Sequence, residues 1–106
     1  MVSFTGSTKI GKIIKQTVDE RFGKTILELG GNNASIILED ADLNCAFKAC
    51  TFAALGICGQ RCTSLRRLLI HEFHFDKFVS ALVKHYKTLS IGDPIDVSSN
   101  FGPLHS

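Results

Sequence analysis

Short apolar stretches alternate with a helical pattern in the first part of the chain. Residues 2–5 and 25–29 have the apolar character of strands, and residues 8–22 between them repeat apolar positions at helical spacing. Gly23 is predicted to end this helix as its C-cap. The order strand, glycine turn, helix, strand predicts a βαβ unit with a parallel sheet and a ligand crevice at the strands' carboxyl ends. The predicted apolar helix face consists of Ile10, Ile13, Ile14, Thr17 and Val18.

The rest of the chain repeats the alternation with longer helices. A stretch rich in Ala, Phe and Cys with few charges predicts a buried helix, which Asp40 or Asp42 can cap. An irregular tail is predicted from Gly92 to Pro103, and a domain boundary near Gly30. The predicted elements are a strand over 34–38, the buried helix over 43–55, a strand over 66–71 and a helix over 76–89. On this last helix Phe78, Val79, Leu82, Val83 and Tyr86 share a face, and Lys84, His85 and Lys87 lie largely opposite.

Composition suits a small globular fold, with 106 residues of which 44% are apolar and 21% charged. If neighbouring layers are missing, such a chain is expected to expose apolar faces. The net charge of +2 is too small, and Lys and Arg are too dispersed, to indicate a nucleic-acid or membrane partner. No apolar run reaches the roughly 18 residues of a membrane span. The chain is therefore expected in the cytoplasm or the mitochondrion.

Four cysteines, Cys45, Cys50, Cys58 and Cys62, are spaced by five, eight and four residues. Neighbours along one helix and its following loop are poor disulfide partners. The chain has no Cys-x2-Cys pair and no histidine at ligand spacing, so no metal site is predicted. Three of the four cysteines are expected to be small buried hydrophobic residues, and the histidines are expected to be structural or solvated.

The segment from Gly6 to Lys12 matches all but the last position of a nucleotide phosphate-binding loop. That last position is Ile13, which has no hydroxyl for magnesium, so a triphosphatase is disfavoured. Ser7 and the amides that open the following helix can instead bind a dinucleotide pyrophosphate. An ordinary tight turn between strand and helix remains the alternative.

One thiol and one carboxylate are the candidate reactive groups. Cys62 lies 34 residues after Glu28, and a thiol nucleophile with a carboxylate base suggests covalent carbonyl chemistry. Arg61 and nearby free amides would favour the thiolate, and the end of a strand would give Glu28 partial burial. A packed core cysteine and a solvated carboxylate are the alternatives for these two residues.

The glutamate before Gly30-Gly31 and the cysteine in Gly59-Gln60-Arg61-Cys62 resemble the aldehyde dehydrogenase superfamily. The resemblance extends from Ser3 to about His105. It implies an α/β fold, in which residues 1–30 are the end of a Rossmann-type NAD-binding domain and residues 31–106 are the start of the α/β catalytic domain. Further segments resemble the antiquitin branch, which oxidises aminoadipate semialdehyde: residues 4–8 with Gly11, and residues 27–34, 39–43, 52–54, 66–68 and 70–72.

The resemblance also implies site residues. Cys62 would be the nucleophile that forms a thiohemiacetal and then a thioester, and Glu28 the base that activates the hydrolytic water. Arg61 and Thr63 would contact the substrate, Arg61 by binding the far carboxylate of a semialdehyde. NAD is the implied cofactor, and its implied binding residues are Gly6, Ser7, Thr8, Lys9, Ile10, Gly11, Leu29 and Gly30.

Family members are roughly five times longer, so the chain is expected to be a middle fragment that is inactive by itself. The resemblance implies a homo-oligomer, a tetramer, for the whole enzyme. Two alternatives remain open: an interaction fragment that binds full-length subunits, and a thiol redox module that uses Cys58 and Cys62. Ile57, Cys58 and residues 64–65 depart from the branch pattern.

Overall fold

A computed structural model describes residues 1–105, in which the chain divides into two compact units. The first unit is Met1–Gly31, and the second begins at Asn32. Each unit contains a two-stranded parallel sheet. Within the described residues, no helix has both the length and the apolar character to cross a membrane.

The first unit is the predicted βαβ arrangement. It consists of β1 (Val2–Thr5), α1 (Thr8–Asp19) and β2 (Thr25–Glu28). The strands pair in parallel, with Val2 opposite Thr25 and Thr5 opposite Glu28, and α1 packs on both of them. The parallel pairing predicted from the sequence is therefore confirmed.

The end of α1 differs from the prediction. The helix ends at Asp19, and the left-handed residue after it is Phe22 with φ of 55°, where Gly23 was predicted. The Val18 carbonyl accepts from the Gly23 N–H at 2.9 Å and the Asp19 carbonyl from the Phe22 N–H at 2.9 Å, the bonding pattern of a Schellman motif. Gly23 serves close packing instead, because a Cβ there would lie 2.6 Å from Val18 Cγ1.

The covered stripe of α1 is narrower than predicted. Gly11 and Val18 are buried, but Ile10 and Ile13 are 44% and 52% exposed and Thr17 is exposed as well. A sheet of two strands covers only a narrow stripe of a helix, and the remaining apolar side chains face outward.

The second unit is built around a small apolar core. Ile37, Cys50 and Phe78 are its buried members. β3 and β4 pair in parallel with Ala34 opposite Arg67, and Ile91 and Phe101 form an isolated bridge in the tail. The elements are β3 (Ala34–Ile37), α2 (Leu43–Leu55), a 3-10 turn (Gly56–Gly59), β4 (Arg67–Ile70) and α3 (Glu72–Tyr86).

Capping side chains set where the two helices of this unit begin. Asp42, rather than Asp40, caps α2 by accepting from the backbone N–H of Asn44 at 2.9 Å and of Cys45 at 3.2 Å. α3 begins at Glu72, four residues before the predicted start. The cause is His71, whose Nδ1 accepts from the Phe73 N–H at 3.4 Å.

The burial of α2 was overestimated. Cys50 is its one buried residue, and Phe52 is 69% exposed. The same error affects the cysteines: Cys58 is half-buried, whereas Cys45 and Cys62 are exposed. On α3, Val83 and Tyr86 are 48% and 41% exposed, whereas His85 is half-buried with its ring centroid 5.6 Å from that of Phe47.

Both sheets have an exposed apolar face. In the first unit this face carries Ile26, and in the second it carries Ile36 and Leu69, which lie opposite each other in the register, with Leu38 just beyond β3. Parallel sheets are ordinarily covered on both faces. The expectation that apolar faces would be exposed is therefore confirmed.

Candidate functional site

In the first unit, the turn after β1 and the end of β2 come together. The Gly6 N–H donates to the Glu28 carbonyl at 3.0 Å. Gly11 is buried against Leu29, and a Cβ on Gly11 would lie 2.5 Å from Leu29 Cδ2. Four of the predicted site residues are thus neighbours because parallel strands end at the same edge of the sheet.

The first turn of α1 is capped and open. Ser7 Oγ accepts from the Ile10 N–H at 3.3 Å. Ser7, Thr8, Lys9 and Ile10 are all exposed, so the positive end of the helix is accessible to an anion. A Cβ on Gly30 would meet no atom within 4 Å among the residues that the structure describes.

Glu28 is exposed in its unit, so the prediction of partial burial is wrong there. Side chains alternate along β2, and Glu28 shares its face with Ile26, which is 49% exposed. The other face continues to Leu29, which contacts α1 at Gly11. The carboxylate therefore lies on the face that α1 leaves uncovered.

In the second unit, Asn33 holds the backbone on both sides of Thr63. Its Nδ2 donates to the Cys62 carbonyl at 2.6 Å and to the Ser64 carbonyl at 3.0 Å. Asn33 directly precedes β3, so these bonds tie the loop of residues 59–65, here called the thiol loop, to the sheet. The Cys62 and Thr63 residues themselves are exposed.

Ser64 closes the thiol loop from inside. It is 1% exposed, and its Oγ accepts from the Arg61 N–H at 3.1 Å. Its own N–H donates to the Arg61 carbonyl at 3.1 Å, and the next residue, Leu65, donates to the Ala53 carbonyl at 3.0 Å. Sequence reasoning missed the roles of Asn33 and Ser64, because asparagine is equally a turn residue and the serine had no distinguishing pattern.

The arginines near the thiol loop bind backbone carbonyls. Arg66 Nη2 donates to the Gly59 carbonyl at 3.1 Å, and Arg67 donates to the Asn32 carbonyl through Nε at 3.2 Å and Nη2 at 2.8 Å. Arg61 is half-buried and donates from Nη2 to the Phe52 carbonyl at 3.1 Å. Its role toward a substrate carboxylate stays a prediction.

The turn before the thiol loop is left-handed. Ile57, Cys58 and Gly59 have φ values of 53°, 55° and 72°. Glycine adopts this region freely, whereas a β-branched isoleucine does so only under strain.

The Cys58 thiol faces the tail of the chain. Its Sγ lies 3.5 Å from the Gly102 carbonyl oxygen, beside an apolar cavity of about 320 Å³ that Leu89 and Phe101 also line. All four cysteines, including Cys58 and Cys62, are free.

Comparison with known proteins identifies the family. The aldehyde dehydrogenase family model matches residues 1–106. The chain is 52% identical over its whole length to aldehyde dehydrogenase family 7 member A1 of Brassica napus and 50% identical to alpha-aminoadipic semialdehyde dehydrogenase of Rattus norvegicus, covering 22% and 20% of those proteins. It thus spans about a fifth of the length of these relatives.

Among solved structures, the NAD+ complex of aldehyde dehydrogenase from Bacillus cereus matches with a TM-score of 0.95 and 38% identity, over 98% of this chain and 21% of that one. The α/β fold and the family resemblance predicted from the sequence are confirmed. The chain belongs to the aldehyde dehydrogenase family.

Proposed function

We propose that this chain is a segment of an NAD-dependent aldehyde dehydrogenase, and that it supplies the nucleophile Cys62 and the base Glu28. One observation carries the proposal: an exposed thiol lies on a loop whose backbone is fixed, since Asn33 Nδ2 bonds the Cys62 carbonyl at 2.6 Å. A fixed nucleophile that substrate can reach is what covalent catalysis needs.

In the proposed reaction the Cys62 thiolate forms a bond to the aldehyde carbon. The carbonyl oxygen takes the negative charge, and the Cys62 backbone N–H donates to it. Loss of a hydride from the same carbon leaves a thioester. Glu28 then takes a proton from the water that attacks this thioester, and the carbon–sulfur bond breaks to give the carboxylate and the free thiol.

NAD is the proposed hydride acceptor. The residues fit this cofactor on two counts: the first turn of α1, capped by Ser7, is open to a pyrophosphate, and Gly30 presents no side chain in a region with open space around it. The proposed NAD-binding residues are Gly6, Ser7, Thr8, Lys9, Ile10, Gly11, Leu29 and Gly30. When bound, NAD supplies the electrophilic carbon that accepts the hydride.

Aminoadipate semialdehyde is the proposed substrate. The similarity to the rat alpha-aminoadipic semialdehyde dehydrogenase supports it, and so does Arg61 next to the nucleophile. A guanidinium suits the carboxylate at the far end of such a molecule. Thr63, exposed on the other side of Cys62, is the second proposed substrate contact.

The test compares the purified chain with a chimera in which residues 1–106 replace the matching segment of the rat enzyme. NADH formation is measured with aminoadipate semialdehyde, and mass spectrometry follows acyl adducts. We expect no turnover by the chain and turnover by the chimera. Cys62→Ala should abolish it, and Glu28→Gln should let the thioester on Cys62 accumulate.

Cys45→Ala is the matched control, because Cys45 is also a free, exposed cysteine. Turnover by the isolated chain that Cys62→Ala abolishes would overturn the view of the chain as an incomplete segment. Unchanged turnover in the Cys62→Ala chimera would overturn the assignment of the nucleophile.

A second candidate function is binding to full-length subunits without catalysis. The exposed apolar face of the second unit favours it, because Ile36 and Leu69 are 67% and 49% exposed on a parallel sheet. Size-exclusion chromatography of the chain mixed with the rat enzyme tests this candidate. Binding that Ile36→Asp abolishes supports it, and separate elution excludes it.

A further inference from the structure

The Arg61 guanidinium packs against Phe52 near the C-terminal end of α2. Its Cζ lies 4.9 Å from the centroid of the Phe52 ring, and its Nη2 donates to the Phe52 carbonyl at 3.1 Å. The Phe52 side chain is therefore a platform for the guanidinium and not a core residue, which agrees with its 69% exposure.

Gly56 supplies the space on the other side of the guanidinium. Its φ of −53° and ψ of 127° lie in a region open to any residue, so the backbone does not require glycine there. Space does require it: a Cβ on Gly56 would lie 2.8 Å from Arg61 Cζ and closer still to Nη2. Arg61 thus occupies the volume that a side chain at Gly56 would take.

The contacts with Phe52 leave one nitrogen of the Arg61 guanidinium without a hydrogen-bond partner in the part of the chain that the structure describes. Arg61 Nε is buried and has no hydrogen-bond partner within residues 1–105. A buried N–H without a partner is unfavourable, and in native structures it calls for an explanation. The Phe52 carbonyl accepts from only one of the five N–H donors of an arginine, so the guanidinium has further donors for a ligand carboxylate.

We infer that Phe52 and Gly56 are positioning residues that set the Arg61 guanidinium for the carboxylate of an aldehyde substrate. The inference rests on the proposed function, in which Arg61 binds that carboxylate. Phe52 holds the guanidinium over its ring through the cation–π contact and anchors one end of it through the hydrogen bond to its carbonyl. Gly56 has no side chain, and this leaves the space that the guanidinium occupies.

The experiment measures kcat/KM of the chimera for aminoadipate semialdehyde and for hexanal, which lacks the carboxylate. The ratio of the two values is the readout. We expect Arg61→Ala to lower the ratio by roughly 10- to 100-fold and Gly56→Ala by about tenfold, because a charge-assisted hydrogen bond is lost or misaligned. Phe52→Leu should lower it by about threefold through loss of the cation–π contact, whereas Phe52→Tyr keeps an aromatic ring and should leave the ratio unchanged.

Phe73→Leu is the matched control, since Phe73 is an exposed phenylalanine on α3, 74% exposed, and its loss should leave the ratio unchanged. If Arg61→Ala lowers the ratio but Gly56→Ala and Phe52→Leu do not, the positioning role is overturned and the proposed substrate stands. If Arg61→Ala leaves the ratio unchanged, the substrate role of Arg61 fails, and the positioning role fails with it. An equal fall for both aldehydes would show a merely structural role.

A second measurement on the 106-residue chain tests the contact that the inference requires, and it does not depend on folding of the chimera. The Nε–H resonance of Arg61 in ¹H–¹⁵N spectra should carry a ring-current shift from Phe52 and exchange slowly with water. Phe52→Leu should remove the shift, and Gly56→Ala should speed the exchange. A resonance that neither substitution moves overturns the inference.

Discussion

The two loops proposed to act in one reaction are held in place by different kinds of contact. The turn between β1 and α1 depends on neighbours in sequence: Ser7 caps its own helix, accepting from Ile10 three residues on. The thiol loop depends on partners far along the chain, with Asn33 bonding Cys62 and Ser64 from 29 and 31 residues away. A contact between near neighbours in sequence can be predicted from the sequence pattern, whereas a contact between distant residues can be predicted only once the fold is known.

The two kinds of contact should also differ in how far the effect of removing them extends through the structure. A local cap protects one helix end, so its loss should be felt within the first turn of α1. A side chain that bridges two carbonyls to a sheet couples the loop to the whole second unit, so its loss should lower the stability of that unit.

The largest expected effect is that of Asn33→Ala. The substitution removes the donor of two hydrogen bonds, and the Ser64 carbonyl is part-buried. We expect the free energy of unfolding of the second unit to fall by about 2 kcal/mol. Urea unfolding followed by the fluorescence of Tyr86 measures it, because Tyr86 is the chain's one tyrosine, lies on α3, and the chain has no tryptophan.

Asn32→Ala is the control for that substitution. Arg67 binds the backbone carbonyl of Asn32, which alanine retains, so the unfolding free energy should change by less than about 0.5 kcal/mol. Equal losses at the two asparagines would mean that the turn matters and that the bridge from Asn33 does not.

A smaller effect is expected from Ser7→Ala in the first unit. Loss of an N-cap side chain costs about 1 kcal/mol, so the Ile10 amide should exchange with solvent roughly fivefold faster. Native-state hydrogen exchange measures it residue by residue. Ser7→Asp should keep the protection, and Ser3→Ala on β1 should leave it unchanged. Faster exchange throughout the second unit as well would contradict the local character of this contact.

The elements were predictable where periodicity alone decides them. β1, α2 and the parallel pairing of β1 with β2 lie where the sequence pattern put them. Helix ends were less predictable, because side chains such as His71 and turns such as the one at Phe22 move them by three or four residues. Burial was the weakest prediction: apolar Phe52 is 69% exposed, and its ring contacts the Arg61 guanidinium at the surface and not the core.

In the candidate site, the residue types indicated the reactive groups but not the residues that hold the thiol loop in place. Cys62 stood out because it lies 34 residues after Glu28 and follows Gly59, Gln60 and Arg61. Asn33 and Ser64 did not, since their function consists of bonds to backbone carbonyls and amides, which any polar side chain can make. Such supports become visible only when the partners are close in space.

The smallest expected effect is that of Ile57→Gly, which removes strain next to the thiol loop. Isoleucine at φ of 53° costs roughly 1–2 kcal/mol, and glycine recovers this but loses about 0.5–1 kcal/mol in chain entropy. Since Ile57 is 67% exposed, little packing is lost, and we expect the second unit to gain about 0.5 kcal/mol in the same urea experiment. Ile95→Gly is the matched control, because Ile95 is 88% exposed and is not among the left-handed residues, so it should only lose stability. A loss at both positions would mean that the left-handed turn is unstrained, and that residues 57–59 are set by local preference as the β1–α1 turn is.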